Sequence, residues 1–252
     1  MRNFLFNSFY LLLLFCLTSC MGESSDRMGY FRYGVVTTEP SLSLSTSDGV
    51  DIRQISFPEL NGSQAGDCFL VEFKADFSQP AKSGVYTVEM STLEPVRQHQ
   101  LEETEEALPD TVPSANEQFL TLNMNKGQLL KGRFFVHIDQ KEHREGQTEA
   151  FTLAFNRDSV FRETEETGRY YEFCLRAIRE GGVDSLKSTV TEIHALNLGS
   201  FLKEAALKEQ EAGKDSLFFR FQYANRVQVV DGDSVLSWSS TALYGVLLSE
   251  ID

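Results

Sequence analysis

His137-Ile138-Asp139 followed by His143 comes nearest to a set of metal ligands in this chain. Residues two apart on a strand share a face, and a turn could bring His143 back toward them, so the chemistry would be divalent-cation binding. The run Gln140-Lys141-Glu142-His143-Arg144-Glu145 reads instead as a solvated turn, and three mixed ligands without a wider motif do not define a site. His99 and His194 are read as surface or hydrogen-bonded histidines. Gly199-Ser200 lacks the flanks of a Gly-x-Ser-x-Gly elbow, and helix capping accounts for Ser200. Asn61-Gly62-Ser63 is loop chemistry, and Asp231-Gly232-Asp233 is too short for a calcium loop. A carboxylate pair could serve a glycan hydrolase, but nothing singles out two among 37 acids. No phosphate-cradling glycine loop is present. We therefore expect no catalytic residue, no metal and no cofactor.

One sulfur has a clear chemical context. Arg2 opens the chain, and an apolar run covers Phe9 to Leu17. Nine helical residues span roughly 14 Å, about half the hydrocarbon core, which suits a signal peptide and not a membrane span. The run ends in Leu17-Thr18-Ser19-Cys20, which resembles the lipobox of bacterial lipoproteins. That resemblance implies cleavage before Cys20 and acylation of its sulfur and amine with chains such as palmitate. Each buried CH₂ contributes about 0.8 kcal/mol, so three chains hold a protein on a membrane almost permanently. Residues 1–19 are thus read as signal peptide and 20–28 as tether. Glu23 and Asp26 in the tether resemble a surface-export signal of Bacteroidetes lipoproteins.

Charge points the same way. The chain of 252 residues carries 23 Lys plus Arg against 37 Asp plus Glu, a formal charge of −14. Loss of residues 1–19 removes one Arg and leaves −15. An anionic leaflet repels such a body, so lipid must do the anchoring. Nucleic acid is excluded as a partner, because polyanions need clustered cations. Cys68 and Cys174 lie in apolar runs and are read as buried thiols, with pairing left open.

The elements that must carry these residues are mostly strands. Period-2 runs separated by turn residues predict an all-β protein. The runs at 30–38, 41–46, 50–57, 66–77 and 84–93 fit a small barrel over 29–96, with a hairpin turn at Asp48-Gly49. Glu102, Glu103, Glu105, Glu106, Pro109 and Pro113 predict an exposed linker or loop over 97–117. Runs from 118 to 252 fit a β-sandwich with one short helix between Ser200 as N-cap and Gly213 as stop. Phe201, Leu202, Ala205 and Ala206 share one helix face, and Glu204 and Lys208 pair at i,i+4. Asp231-Gly232 predicts a second hairpin turn. Tyr30, Phe31 and Tyr33 cluster near the tether, and of the neighbours Tyr170 and Tyr171 one should be less buried. Trp238 stands alone.

Together, the lipobox, the small barrel, the later sandwich and several local stretches are similar to the NigD-like lipoproteins of Bacteroidetes. The stretches are Tyr33-Gly34-Val35-Val36-Thr37, Ser47-Asp48-Gly49, Gly66-Asp67, Phe151 to Asn156 and Glu172 to Arg176. The resemblance implies an OB-like N-terminal barrel and a C-terminal sandwich, and it supplies no catalytic residues. The tripeptide Asp, then Ser or Thr, then a small apolar residue or Thr resembles the O-glycosylation sequon of the same group. It occurs at Thr111, Ser159, Ser185, Ser216 and Ser234, against about one match expected from composition. Turn formation by Asp-Ser explains the same pattern. The expectation is a lipid-anchored outer-membrane protein of the bacterial envelope, displayed at the surface or in the periplasm. It would be non-catalytic and bind a glycan or a protein; the alternatives are an envelope glycan hydrolase and a surface assembly subunit.

Overall fold

The structure, a computed structural model, describes residues 28–39, 41–47, 51–104, 112–142, 144–156, 162–164, 168–181 and 188–251. Cys20 with the signal segment, Asp48-Gly49, His143, Thr111, Ser159 and Ser185 lie outside the described residues.

Six strands form the first sheet: β1 (Met28–Thr37), β2 (Ser43–Ser47), β3 (Ile52–Ser56), β4 (Cys68–Ala75), β5 (Val85–Thr87) and β6 (Glu89–Pro95). Alternation sets each face; in β4, Val71, Phe73 and Ala75 point inward while Glu72 and Lys74 are exposed. β1 pairs antiparallel with β2 and with β4, β2 with β3, and β4 with β6, while β3 pairs parallel with β5. Only Val88 separates β5 from β6, so these two act as one bent strand. The ring then runs β1, β2, β3, β5/β6, β4 and back to β1, the closure of an OB-like barrel. Val36, Leu44, Ile55, Leu60, Val71 and Phe73 fill it.

The second sheet has eleven strands: β7 (Arg97–Thr104), β8 (Glu117–Gln118), β9 (Thr121–Leu130), β10 (Arg133–Lys141), β11 (Thr148–Asn156), β12 (Arg162–Thr164), β13 (Gly168–Glu180), β14 (Thr189–Asn197), β15 (Ser216–Val230), β16 (Asp233–Ser240) and β17 (Tyr244–Leu247). Its main path is β16-β15-β13-β11-β7-β14-β10-β9. The two facing layers of the expected sandwich are parts of this one ladder, which curls into a half-barrel. Phe134 of β10 meets Phe219 and Phe221 of β15 across the core, with ring centroids 5.4 Å apart in both pairs. The all-β class, with one α-helix among the described residues, is as expected.

Four local readings change. The first is the linker: residues 97–104 form β7, which lies between β11 and β14 and runs parallel to both. His99 and Leu101 turn inward, and long carboxylate side chains at Glu102 and Glu103 reach water from the other positions and the strand's end. The charge block therefore masks a strand whose backbone is paired on both sides. Second, the helix α1 (Gly199–Glu211) has Leu198 as N-cap, so Ser200 sits in its first turn and caps nothing. Its end is as expected. The Lys214 N–H bonds to Glu209 O and the Gly213 N–H to Gln210 O, both at 2.9 Å, and Gly213 has φ +73°. Third, the expected apolar face continues into Glu209, which is buried, while Ala206 is only half-buried. Fourth, Tyr170 and Tyr171 are both buried. Tyr171 faces the core, and the Arg220 guanidinium covers the Tyr170 ring at 4.8 Å.

The hairpin turn at Asp231-Gly232 holds: both residues have positive φ, 53° and 94°, as a two-residue type I′ loop requires. Lys131-Gly132 makes the same turn between β9 and β10, with φ of 48° and 70°. Among the described residues no helix is long and apolar enough to cross a membrane.

Candidate functional site

Val96 alone separates β6 from β7, so barrel and half-barrel share a packed seam. Val35, Cys68 and Val96 pack there with Leu130, Phe135 and Ala195. Tyr33 of β1 crosses the seam. Its ring stacks on Phe135 at 4.7 Å with 10° between planes, and its hydroxyl lies 2.7 Å from His137 Nε2. Burial pushes the Tyr33 phenol up. Burial first, then Lys126, hold His137 below the usual imidazole range, against an opposing pull from Asp139. Both shifts favour the neutral forms, and the imidazole tautomer sets which of the two groups donates.

Beside this contact opens a groove of about 360 Å³ lined by Phe31, Arg32 and Tyr33 of β1, Ser47 of β2, Asn125 to Gln128 of β9, and Tyr244 of β17. Each wall has a local cause. Phe31 lies on the outward face of β1 and is 59% exposed. Gly127 lets β9 press against Phe134; a Cβ there would come within 2.7 Å of the Phe134 ring. Tyr244 packs edge-on against Phe134 at 4.9 Å. The groove thus combines exposed aromatic surface, two side-chain amides, a hydroxyl and the cations Arg32 and Lys126. Rings offer an apolar face to sugar C–H groups, amides bond hydroxyls, and the cations favour a negative substituent.

Of the three metal candidates, His137 and Asp139 are among the described residues. His137 is engaged by Tyr33, Asp139 accepts from the Thr191 hydroxyl, and no group of three metal-binding side chains occurs among the described residues. Cys68 and Cys174 are buried thiols outside any disulfide, both pushed up to about 12 by burial and so unreactive. Of the hydroxyl residues, Ser216 begins β15 and donates to Asp215 Oδ1 at 2.8 Å, while Ser234 is exposed in β16. Trp238 is half-buried in β16.

A polar layer closes the half-barrel at the end away from α1. His99 Nε2 and His194 Nδ1 are 2.8 Å apart, with the Phe151 ring against both. Burial, then His194 and Arg97, lower the His99 pKa to about 3. Nearby, Arg179 Nη2 lies 3.4 Å from Glu149 Oε1, both side chains fully buried, and Arg97 approaches Glu149 at 3.9 Å. Gln140 is buried on the same inward face of β10. At the other end, Glu209 accepts from the Tyr171 hydroxyl at 2.7 Å and from Arg169 Nε at 2.8 Å, and burial, then this carboxylate, push the Tyr171 phenol up. Arg97 and Arg169 reach solvent, while Arg179, Glu149, Gln140, His99, His194, Tyr171 and Glu209 are enclosed.

Sequence reasoning picked out Phe31 and Tyr33 as aromatics near the tether and missed Arg32, Asn125, Lys126, Gln128 and Tyr244. Nothing local marks them, because four separate strands, β1, β2, β9 and β17, build the groove.

No protein-family model matches the chain, and no curated protein does. Solved structures do share its fold. An uncharacterised protein from Parabacteroides merdae aligns at 20% identity with a TM-score of 0.66, over 87% of this chain and 99% of that one. A protein of unknown function from Bacteroides vulgatus aligns at 12% identity with a TM-score of 0.52, over 89% and 98%. A protein named "Putative lipoprotein" from Bacteroides fragilis aligns at 10% identity with a TM-score of 0.52, over 88% and 98%. The barrel and half-barrel therefore recur together, as one arrangement, in proteins of Bacteroides and Parabacteroides.

Proposed function

We propose that this chain is a lipid-anchored outer-membrane protein of the bacterial envelope that binds an anionic saccharide in the seam groove, without catalysing its turnover. The groove carries this reading: Phe31, Tyr33 and Tyr244 supply stacking surface next to Arg32, Lys126, Asn125 and Gln128. Acylation at Cys20 supplies the anchor, from the lipobox-like Leu17-Thr18-Ser19-Cys20. The stretches similar to NigD-like lipoproteins and the fold shared with a Bacteroides fragilis protein named as a lipoprotein support the same placement. Ser216 and Ser234, with Thr111, Ser159 and Ser185, are proposed glycosylation positions on the same body. The test is a saccharide array probed with the secreted Cys20→Ser form, repeated with Phe31→Ala. Charged saccharides should be retained by the first and lost by the second. Equal signal from both forms, or retention of a saccharide accompanied by its cleavage, would overturn the assignment.

A further inference from the structure

β16 is the outermost strand of the half-barrel sheet, and among the described residues no strand pairs with its outer side. From Ser234 to Ser240 it holds no charge and no proline, in a chain that is 24% charged. An open edge of this kind invites another strand, and proteins usually blunt it with lysine, proline, a bulge or closure. This molecule uses those devices elsewhere. The barrel ring closes on itself. β9, at the far end of the half-barrel path, carries Lys126, Gly127 and a register shift against β10. On β16 none of them appears; the shift in its ladder falls on β15, between Ala224 and Arg226. The ribbon also projects. Residues 226–234 are exposed, with Val229 at 72% and Val227 at 40%. A two-stranded ribbon is marginal until a third strand joins it.

We propose that the outer edge of β16 pairs antiparallel with β16 of a second copy of this chain. Register argues for that occupant, and charge for the place. Two copies at −14 each repel wherever their acids approach, and the uncharged segment 234–240 is where they can meet. A two-fold axis normal to the sheet keeps the inward faces together, so inward residues must oppose inward residues. Centred on Ser237, the pairing sets Leu236 against the partner's Trp238, and Trp238 against the partner's Leu236. Val235 then meets the partner's Ser239, and Ser234 meets the partner's Ser240. Asp233 falls outside the paired stretch on both copies. Leu236–Trp238 pairs flanked by Ser234–Ser240 pairs on one face, with Ser237 and the Val235–Ser239 pairs on the other, suit an antiparallel ladder.

Purified full-length chain in detergent tests this directly. With Ser237→Cys, oxidation should give a disulfide-linked dimer, because opposed Cβ atoms at the axis lie within bridging reach. Ser78→Cys, exposed on the barrel, should not. Ser237→Lys and Ser237→Glu should each weaken self-association by roughly fivefold or more, and a mixture of the two should restore it. Circular dichroism shows that each variant is folded. The proposal is overturned if Ser237→Cys cross-links no better than Ser78→Cys. It is equally overturned if the Lys and Glu forms together associate no better than each alone, whether because the chain is monomeric or because another surface or another protein occupies the edge.

Discussion

The Arg179–Glu149 pair offers the sharpest energetic test. Both side chains are fully buried, and each partner's remaining contacts differ. Arg179 also donates to the Lys141 carbonyl at 2.8 Å, but among the ion pairs described only Glu149 offers it a negative charge. Glu149 has a second cation, Arg97, at 3.9 Å. Removing the carboxylate with Glu149→Leu leaves the guanidinium buried without a counter-charge and should cost about 3–5 kcal/mol. Removing the guanidinium with Arg179→Met leaves Glu149 its Arg97 contact and should cost less, about 2–3 kcal/mol. The double variant replaces a buried ion pair by apolar groups, and should recover most of the loss. For a protein of this size each kcal/mol moves Tm by about 2–4 °C, so Glu149→Leu should melt about 6–20 °C early. Thermal and urea unfolding followed by circular dichroism give the cycle. The reasoning fails if Glu149→Leu costs under about 1 kcal/mol, or if the double variant is no more stable than Glu149→Leu alone.

Three further outcomes follow from the same structure. His99 stays neutral in the fold down to about pH 3 but takes up a proton near 6.5 when unfolded, so between those values the unfolded state binds more protons and stability falls with falling pH. That contribution is about 1.4 kcal/mol per pH unit, and His99→Phe should flatten the slope of urea-derived stability below pH 6.5 relative to wild type; an unchanged slope would show that His99 does not carry it. Tyr33→Phe keeps the stack on Phe135 but loses the bond to His137, and should cost about 1 kcal/mol in urea melts, with no loss expected if the seam is not formed in solution. Gly132→Ala places a Cβ 2.6 Å from the Gly199 Cα at a φ of +70°, and should cost about 3 kcal/mol; a neutral result would contradict the close approach of the β9–β10 turn to α1.

Much of the fold is legible because local alternation and turn chemistry carry it. The stretch Phe151 to Asn156 lies in β11, the Asp231-Gly232 turn forms, and α1 stops short of Gly213. β7 is hidden because its acids imitate a solvated run, and only its parallel neighbours, β11 and β14, reveal a central strand. The His99–His194 contact joins residues 95 positions apart, and no spacing rule points to it. Ser200 looks like a cap by type, yet the helix starts one residue earlier, after Leu198. The buried Glu209 breaks the apolar face for a reason that lies on β13, in Tyr171 and Arg169. For the groove, Phe31 and Tyr33 are visible as a cluster, whereas Lys126 and Tyr244 join them only through the seam.

The central claim is a β-rich body tied to a membrane by acyl chains on Cys20. Intact mass and N-terminal fragmentation of the mature protein, recovered from its native membrane, test it most directly. The account predicts a chain beginning at Cys20, with a diacylglyceryl group on the sulfur and an acyl group on the amine. A chain that still begins at Met1, or one that begins near Cys20 without lipid, would contradict it.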